Sequence, residues 1–203
     1  MRVGIDIDNT IVCYDHVFAP IAVQAGFDVP LSSTKSEVKK WFHERCLEDE
    51  FTNLQGQVYG KCISMAHLFE GVLSFIAKAS RQNHQMYLIS HKTKFPIIGE
   101  KINLHDAAMN FLSENSIIGG RAQNSVPFAN VFFEPTIETK VQRIVDLDLD
   151  YFIDDLLSIL CHKKFPSKCH PIWFSKNILS PSDTPIVHYQ SWESISRKIL
   201  GVT

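Results

Sequence analysis

Four carboxylates fall in two short clusters whose surroundings suit chemistry. Asp6 and Asp8 lie in GIDIDNT, residues 4–10, and Asp154 and Asp155 lie in FIDDL, residues 152–156. Each cluster closes an apolar run, so a buried strand would deliver each pair to the edge of a sheet. An Asp after a strand is commonly a turn residue or a helix N-cap, and either pair alone suits that role. Two pairs, each at the end of a strand buried on both faces, suit it poorly. If the two strands are neighbours the carboxylates converge, and like charges at close range are unfavourable unless something neutralises them. A hard divalent cation does so, and Mg²⁺ favours carboxylate and phosphate oxygens while retaining several waters.

The elements that must position these groups follow from hydrophobic periodicity. Residues 2–6 (RVGID), 86–90 (MYLIS), 130–134 (NVFFE) and 151–155 (YFIDD) read as strands, with further apolar segments at 171–174 and 186–189. A helix is expected over 65–80, with Leu68, Phe69, Val72, Leu73 and Ile76 on one stripe. Others are expected over 106–114, over 137–147 with Val141, Ile144 and Val145 inward, and over 192–200. Val17, Phe18, Ile21 and Ala22 recur at helical spacing, and Ser33 or Thr34 could cap a helix over 37–42. Strands alternating with helices indicate an α/β fold with a doubly wound, mostly parallel sheet. About 80 residues separate the first two strands, far more than one crossover needs. The excess reads as a helical insertion over 13–80, carried by a core of 1–12 and 81–203. It leaves from the C-terminal end of the first strand, the side on which open α/β sheets bind ligands, so it is placed as a lid.

Composition narrows the partners. The chain has 203 residues and a net charge of -2 with both signs interspersed, and no basic tract of the kind that binds a nucleic-acid polymer. A small anionic substrate stays open, since a metal ion can supply positive charge. No apolar run approaches a membrane helix. Five cysteines (Cys13, Cys46, Cys62, Cys161 and Cys169) form no CxxC pair, and Cys161-His162 with Cys169-His170 match no common zinc spacing. With no secretory segment at the start, they read as reduced thiols of a cytoplasmic protein. Oligomeric state leaves no trace in the sequence.

At this point the residues carry a resemblance. Asp6 to Thr10, DIDNT, resembles the DxDx[TV] first motif of the haloacid dehalogenase superfamily. Ser90, closing MYLIS, resembles the second motif, Lys140 the third, and Asp154-Asp155 the acidic fourth, all in the family's order. The resemblance spans residues 1 to about 160 and implies an Mg²⁺-dependent phosphatase that acts on a small phosphorylated metabolite. Asp6 would be the nucleophile that forms an aspartyl-phosphate. Asp8 would be the general acid and then base, its backbone carbonyl joining Asp6 and Asp154 around the metal. Asp155 would be a direct or water-mediated metal ligand, or orient Lys140. Ser90 would bind a phosphoryl oxygen, Lys140 would neutralise charge, and Thr10, grouped with the substrate-binding residues, would chiefly support the loop. The insertion resembles a C1-type cap. Carbon-centred dehalogenases of the superfamily lack the Asp equivalent to Asp8, which argues against dehalogenation. A sugar phosphate and a nucleotide, as for a deoxyribonucleotidase, both stay open as substrates. A catalytically silent binding module is the third class, although every catalytic position is filled.

Two neighbourhoods remain. His91, Lys92 and Lys94 make a basic cluster after the second strand, and His91 or Lys92 is expected to contact substrate, against the alternative of a solvated loop. Trp41, Phe42, His43 and Arg45 could face substrate from the lid, although core packing accounts better for the aromatics.

Overall fold

The computed structural model describes residues 1–119, 125–176 and 185–201. Its first strand, β1 (Arg2–Ile5), buries Val3, Gly4 and Ile5. Gly4 is a requirement of packing, because a Cβ there would stand 2.4 Å from Leu149 and 2.7 Å from Phe152. After β1 come a short strand β2 (Val12–Cys13), helices α1 (Phe18–Gln24), α2 (Lys35–His43) and α3 (Glu48–Tyr59), and strand β3 (His67–Leu68). Helix α4 (Val72–Arg81), β4 (Gln85–His91), α5 (Leu104–Glu114), β5 (Val131–Glu134), α6 (Ile137–Asp146) and β6 (Tyr151–Asp154) follow. Helix α7 (Leu157–Leu160), β7 (His170–Phe174), β8 (His188–Tyr189) and α8 (Trp192–Leu200) complete the order.

Six strands form one parallel sheet in the order β5-β4-β1-β6-β7-β8. The register sets Ile5 beside both Leu88 and Ile153. From β1 the chain builds outward through β4 to β5, then returns to lay β6, β7 and β8 on the other side. The order therefore reverses between β1 and β6, and the crevice of an open α/β sheet opens at such a reversal. Asp6 and Asp154 stand at the ends of those two strands.

Alternation divides the core into two layers. Val3, Ile5 and Ile153 face a cluster with Val72 and Phe75 of α4, Phe111 of α5 and Ile195 of α8, whereas Ile89 and Phe152 face Val141 and Ile144 of α6 and Ile159 of α7. Val145 and Leu73, expected inward, are exposed at 40% and 48%, so each helix buries a narrower stripe than its apolar residues suggest.

The helix expected over 65–80 starts later, at Val72. Gly71 sits in the left-handed region at φ 89, where any Cβ would press on Trp192, and this sharp turn separates α4 from β3. Helix α4 packs on β4 and α8 and so lies with the layers of the sheet. The insertion itself leaves and returns through the antiparallel pair β2–β3, whose Val12 pairs with Leu68 and Cys13 with His67. Its helices α1, α2 and α3 pack on one another around Phe18, Phe42 and Phe51. Thr34 caps α2 and forms a reciprocal capping box with Glu37, as the spacing suggested. Among the described residues, no helix is long and apolar enough to cross a membrane.

Candidate active site

Asp6 continues β1 beyond its last paired residue and keeps the sheet direction through its N–H, which donates to the Ile153 carbonyl at 2.9 Å. The chain then turns at Asn9, whose φ of 60 lies in the left-handed region that Asn tolerates better than most residues. The turn closes with Asn9 N–H donating to the Val12 carbonyl at 2.8 Å, and it holds Asp6 and Asp8 at the sheet edge.

Lys140 reaches the same edge from the first turn of α6. Thr136 caps that helix, with its hydroxyl accepting from the Thr139 N–H, and so fixes where the helix starts and which side Lys140 faces. Lys140 is fully buried, and its Nζ lies 2.6 Å from Asp6 Oδ1 and 2.6 Å from Asp154 Oδ2. The other oxygen of Asp154, Oδ1, accepts from the Leu156 N–H at 2.8 Å. Burial alone would pull Lys140 down, but Asp154 and Asp6 outweigh it and keep the ammonium charged. Burial, with Asp154 and Asp8 nearby, pushes Asp6 up to about 7 against the pull of Lys140. Asp155 is pushed well up by burial, Asp6 and Asp154.

One oxygen each from Asp6, Asp154 and Asp155 lie within 4.8 Å of one another. Lys140 meets two of these three carboxylates, Asp6 and Asp154, and an all-oxygen donor set with excess negative charge suits a hard cation such as Mg²⁺. The side chain of Asp8 lies outside this trio. Its Oδ1 accepts from the Tyr14 hydroxyl at 2.6 Å, and its Oδ2 lies 2.8 Å from Lys92 Nζ and 3.4 Å from the Ser90 hydroxyl. Burial would push Asp8 up, but Lys92 and Tyr14 prevail and hold it below the usual carboxylate range.

Lys92 is 5% exposed. Its Nζ lies 2.8 Å from Asp8 Oδ2, and the two form a largely buried ion pair. It also lies 4.5 Å from the centre of the Tyr59 ring. A cavity of about 420 Å³ opens here at the sheet edge, lined by Asp6, Asp8, Lys92, Lys140 and Asp155 together with residues of α2 and α3.

The expected residues divide by position. His91 lines the cavity and is exposed, with Nε2 3.2 Å from the Pro135 carbonyl. Ser90 is buried and reaches the site through Asp8. Thr10 is buried beneath the turn: its carbonyl accepts from Trp192 Nε1 at 3.0 Å, and its hydroxyl has no partner among the described residues. Lys94 lies 5.8 Å from the Phe95 ring centre and is not among the cavity's lining residues. Neither are Trp41, Phe42, His43 and Arg45. Phe42 is in the core, Arg45 stacks at 4.0 Å on Trp41, and His43 Nδ1 lies 2.8 Å from Glu48. Tyr14, Lys35 and Tyr59 belong to the site and were not expected from sequence. Tyr14 follows Asp8 by six residues through an irregular turn, and the two others depend on how the cap folds back, so no local pattern marks them.

No protein-family model matches the chain, and no curated protein matches it. Solved structures do match over nearly its whole length. A HAD-superfamily hydrolase from Ehrlichia chaffeensis has a TM-score of 0.57 at 14% identity, covering 98% of this chain and 95% of that one. A haloacid dehalogenase-like protein of unknown function from Agrobacterium tumefaciens has a TM-score of 0.56 at 11% identity, covering 98% and 97%. A HAD family hydrolase from Deinococcus radiodurans with bound phosphate and sodium has a TM-score of 0.54 at 10% identity, covering 98% and 94%. The chain has the haloacid dehalogenase-like fold. At these identities the likeness is one of fold.

Proposed function

We propose that the protein is an Mg²⁺-dependent hydrolase of small phosphomonoesters that works through an aspartyl-phosphate on Asp6. The observation that carries this reading is the separation of two carboxylates two residues apart. Asp6 shares Lys140 with Asp154, while Asp8 is held aside by Tyr14, Ser90 and Lys92. Two carboxylates in different environments suit two different roles. The hydrolase neighbours, one of them with bound phosphate, support the same reading.

Asp6, Asp154 and Asp155 would hold the cation, which when bound screens the approach of a carboxylate to an anionic phosphoryl group. Asp6 attacks phosphorus with one carboxylate oxygen, and the bond from phosphorus to the ester oxygen breaks. Lys140 draws the Asp6 carboxyl toward its ionised form against burial and disperses charge as the new bond forms. Lys92, which lines the cavity beside Asp8, offers its N–H groups to the phosphoryl oxygens. As they turn toward the phosphoryl group, Lys92 loosens its hold on Asp8, and the carboxyl becomes easier to protonate. Asp8 then gives its proton to the leaving oxygen and takes one from the water that cleaves the aspartyl-phosphate. Tyr14 keeps Asp8 oriented through both steps.

The test is phosphate release from p-nitrophenyl phosphate with Mg²⁺. Turnover is expected for the wild type and loss for Asp6→Asn. An Asp6→Asn protein as active as the wild type would overturn the reading.

A further inference from the structure

The cavity holds more positive charge than the phosphoryl chemistry engages, and the surplus comes from one helix of the cap. Four lysines line it. Lys140 is held between Asp6 and Asp154, and Lys92 lies against Asp8. Lys35 and Lys39 stand apart. They are four residues apart on α2, hence on one face of that helix, and both line the cavity. Neither makes an ion pair within 4.0 Å among the described residues. Burial lowers Lys35, while Tyr59, its hydrogen-bond partner, raises it most; the two acids that also raise it are Asp155 and Asp8. One belongs to the carboxylate trio and the other is paired with Lys92, so Lys35 keeps no carboxylate of its own.

The rest of the lining is unsuited to a nucleobase. Among the described residues the rings that line the cavity are His91, whose Nε2 lies 3.2 Å from the Pro135 carbonyl, and Tyr59, which is already surrounded. Lys92 lies 4.5 Å and Lys35 5.6 Å from its centre, while Tyr14 and Phe18 meet it edge-on at 4.9 and 5.9 Å. What α3 adds beside the two ammonium groups is the polar pair Thr52 and Gln55. A volume of about 420 Å³ suits a compact molecule.

Building on the phosphatase reading, we infer that the substrate is a compact phosphomonoester carrying a second anionic group, and that Lys35 and Lys39 of the cap bind that group. A carboxylate and a second phosphoryl group present the same chemistry to an ammonium donor, namely anionic oxygens at short reach. The selectivity then resides on the cap and the bond-breaking groups on the sheet edge.

The experiment uses the full chain with Mg²⁺ and compares kcat/KM for 2-phosphoethanol, 2-phosphoglycolate, ethylene glycol bisphosphate and adenosine 5′-monophosphate, with p-nitrophenyl phosphate as reference. At least one doubly anionic ester is expected to exceed 2-phosphoethanol by about tenfold or more, and the better of the two identifies the second anion. Lys39→Ala is expected to shrink that ratio by about tenfold, mainly through KM, and Lys39→Arg to keep it. Lys39 is exposed, so the variants fold, and Lys35→Ala provides an independent second reading. Equal kcat/KM for the three compact esters, a ratio unmoved in both alanine variants, or adenosine monophosphate as the best substrate would overturn the inference and leave the phosphatase intact. Failure to hydrolyse any ester, p-nitrophenyl phosphate included, would overturn the phosphatase reading itself.

Discussion

The two sides of the cavity are charged in different ways. On the sheet side, Asp6, Asp154 and Lys140 stand on a strand end, a neighbouring strand end and a capped helix, and contacts of 2.6 Å join these buried groups. On the cap side, Lys35 and Lys39 stand on the surface of α2, and α2 itself is oriented by aromatic packing among Phe42, Phe27 and Phe51. The sheet side therefore has little freedom to change, because altering one buried charge strands the others. The α2 side can exchange residues on one helix face at small cost in stability.

Substitutions at the sheet edge should have the largest effects. Asp6→Asn is expected to lower kcat by more than about 10³-fold, and Asp8→Asn by about 10²- to 10⁴-fold, both measured as phosphate release with Mg²⁺. Next in size is stability. Lys140→Met leaves Asp6 and Asp154 buried without their shared cation, and urea denaturation should show a loss of about 3–5 kcal/mol. Lys39→Met, on the cap side, should change stability by less than about 0.5 kcal/mol. Equal losses at the two positions would erase the contrast.

The pH dependence follows from Asp6. Its pKa is pushed from 3.8 up to about 7 by burial and by its acidic neighbours. A carboxyl raised in the folded state stabilises the fold fully below its unfolded value, and that contribution is lost as pH rises through the folded value. Without metal, stability should thus decline as pH climbs from about 4 to about 7. Mg²⁺ should raise the melting temperature more at about pH 8 than at about pH 5. A metal effect that does not depend on pH would place the cation elsewhere. The smallest expected effect is at Thr34→Ala, which removes the α2 capping box at a cost of about 1 kcal/mol and, by loosening the turn that carries Lys35, should raise KM more than it lowers kcat.

What could be read from sequence follows the same division. Asp6 and Asp154 were legible because an apolar run ending in acid is a local pattern, and the sheet topology then fixes where two strand ends meet. Lys140 was legible as a first-turn residue of a helix that follows a strand. The doubly wound sheet came from the alternation of periods, and Thr34 from the capping spacing. The start of α4 was not legible, because the positive φ at Gly71 and the press of Trp192 on it arise from a contact across the fold. Tyr14, Lys35 and Tyr59 escaped for a related reason: on an amphipathic cap helix, periodicity separates buried from exposed faces but does not say which exposed face overlooks the site. The same ambiguity placed Trp41 and Arg45 as candidates, whereas they stack on each other away from the cavity.

The central claim is that Asp6 receives the phosphoryl group. The most direct measurement is an acid-quenched single turnover with a phosphate ester labelled in its phosphoryl group, followed by peptide mapping. A covalent label is expected on the peptide that contains Asp6, labile to hydroxylamine and absent in Asp6→Asn. Release of phosphate with no label on that peptide at any quench time, together with retained turnover in Asp6→Asn, would contradict it.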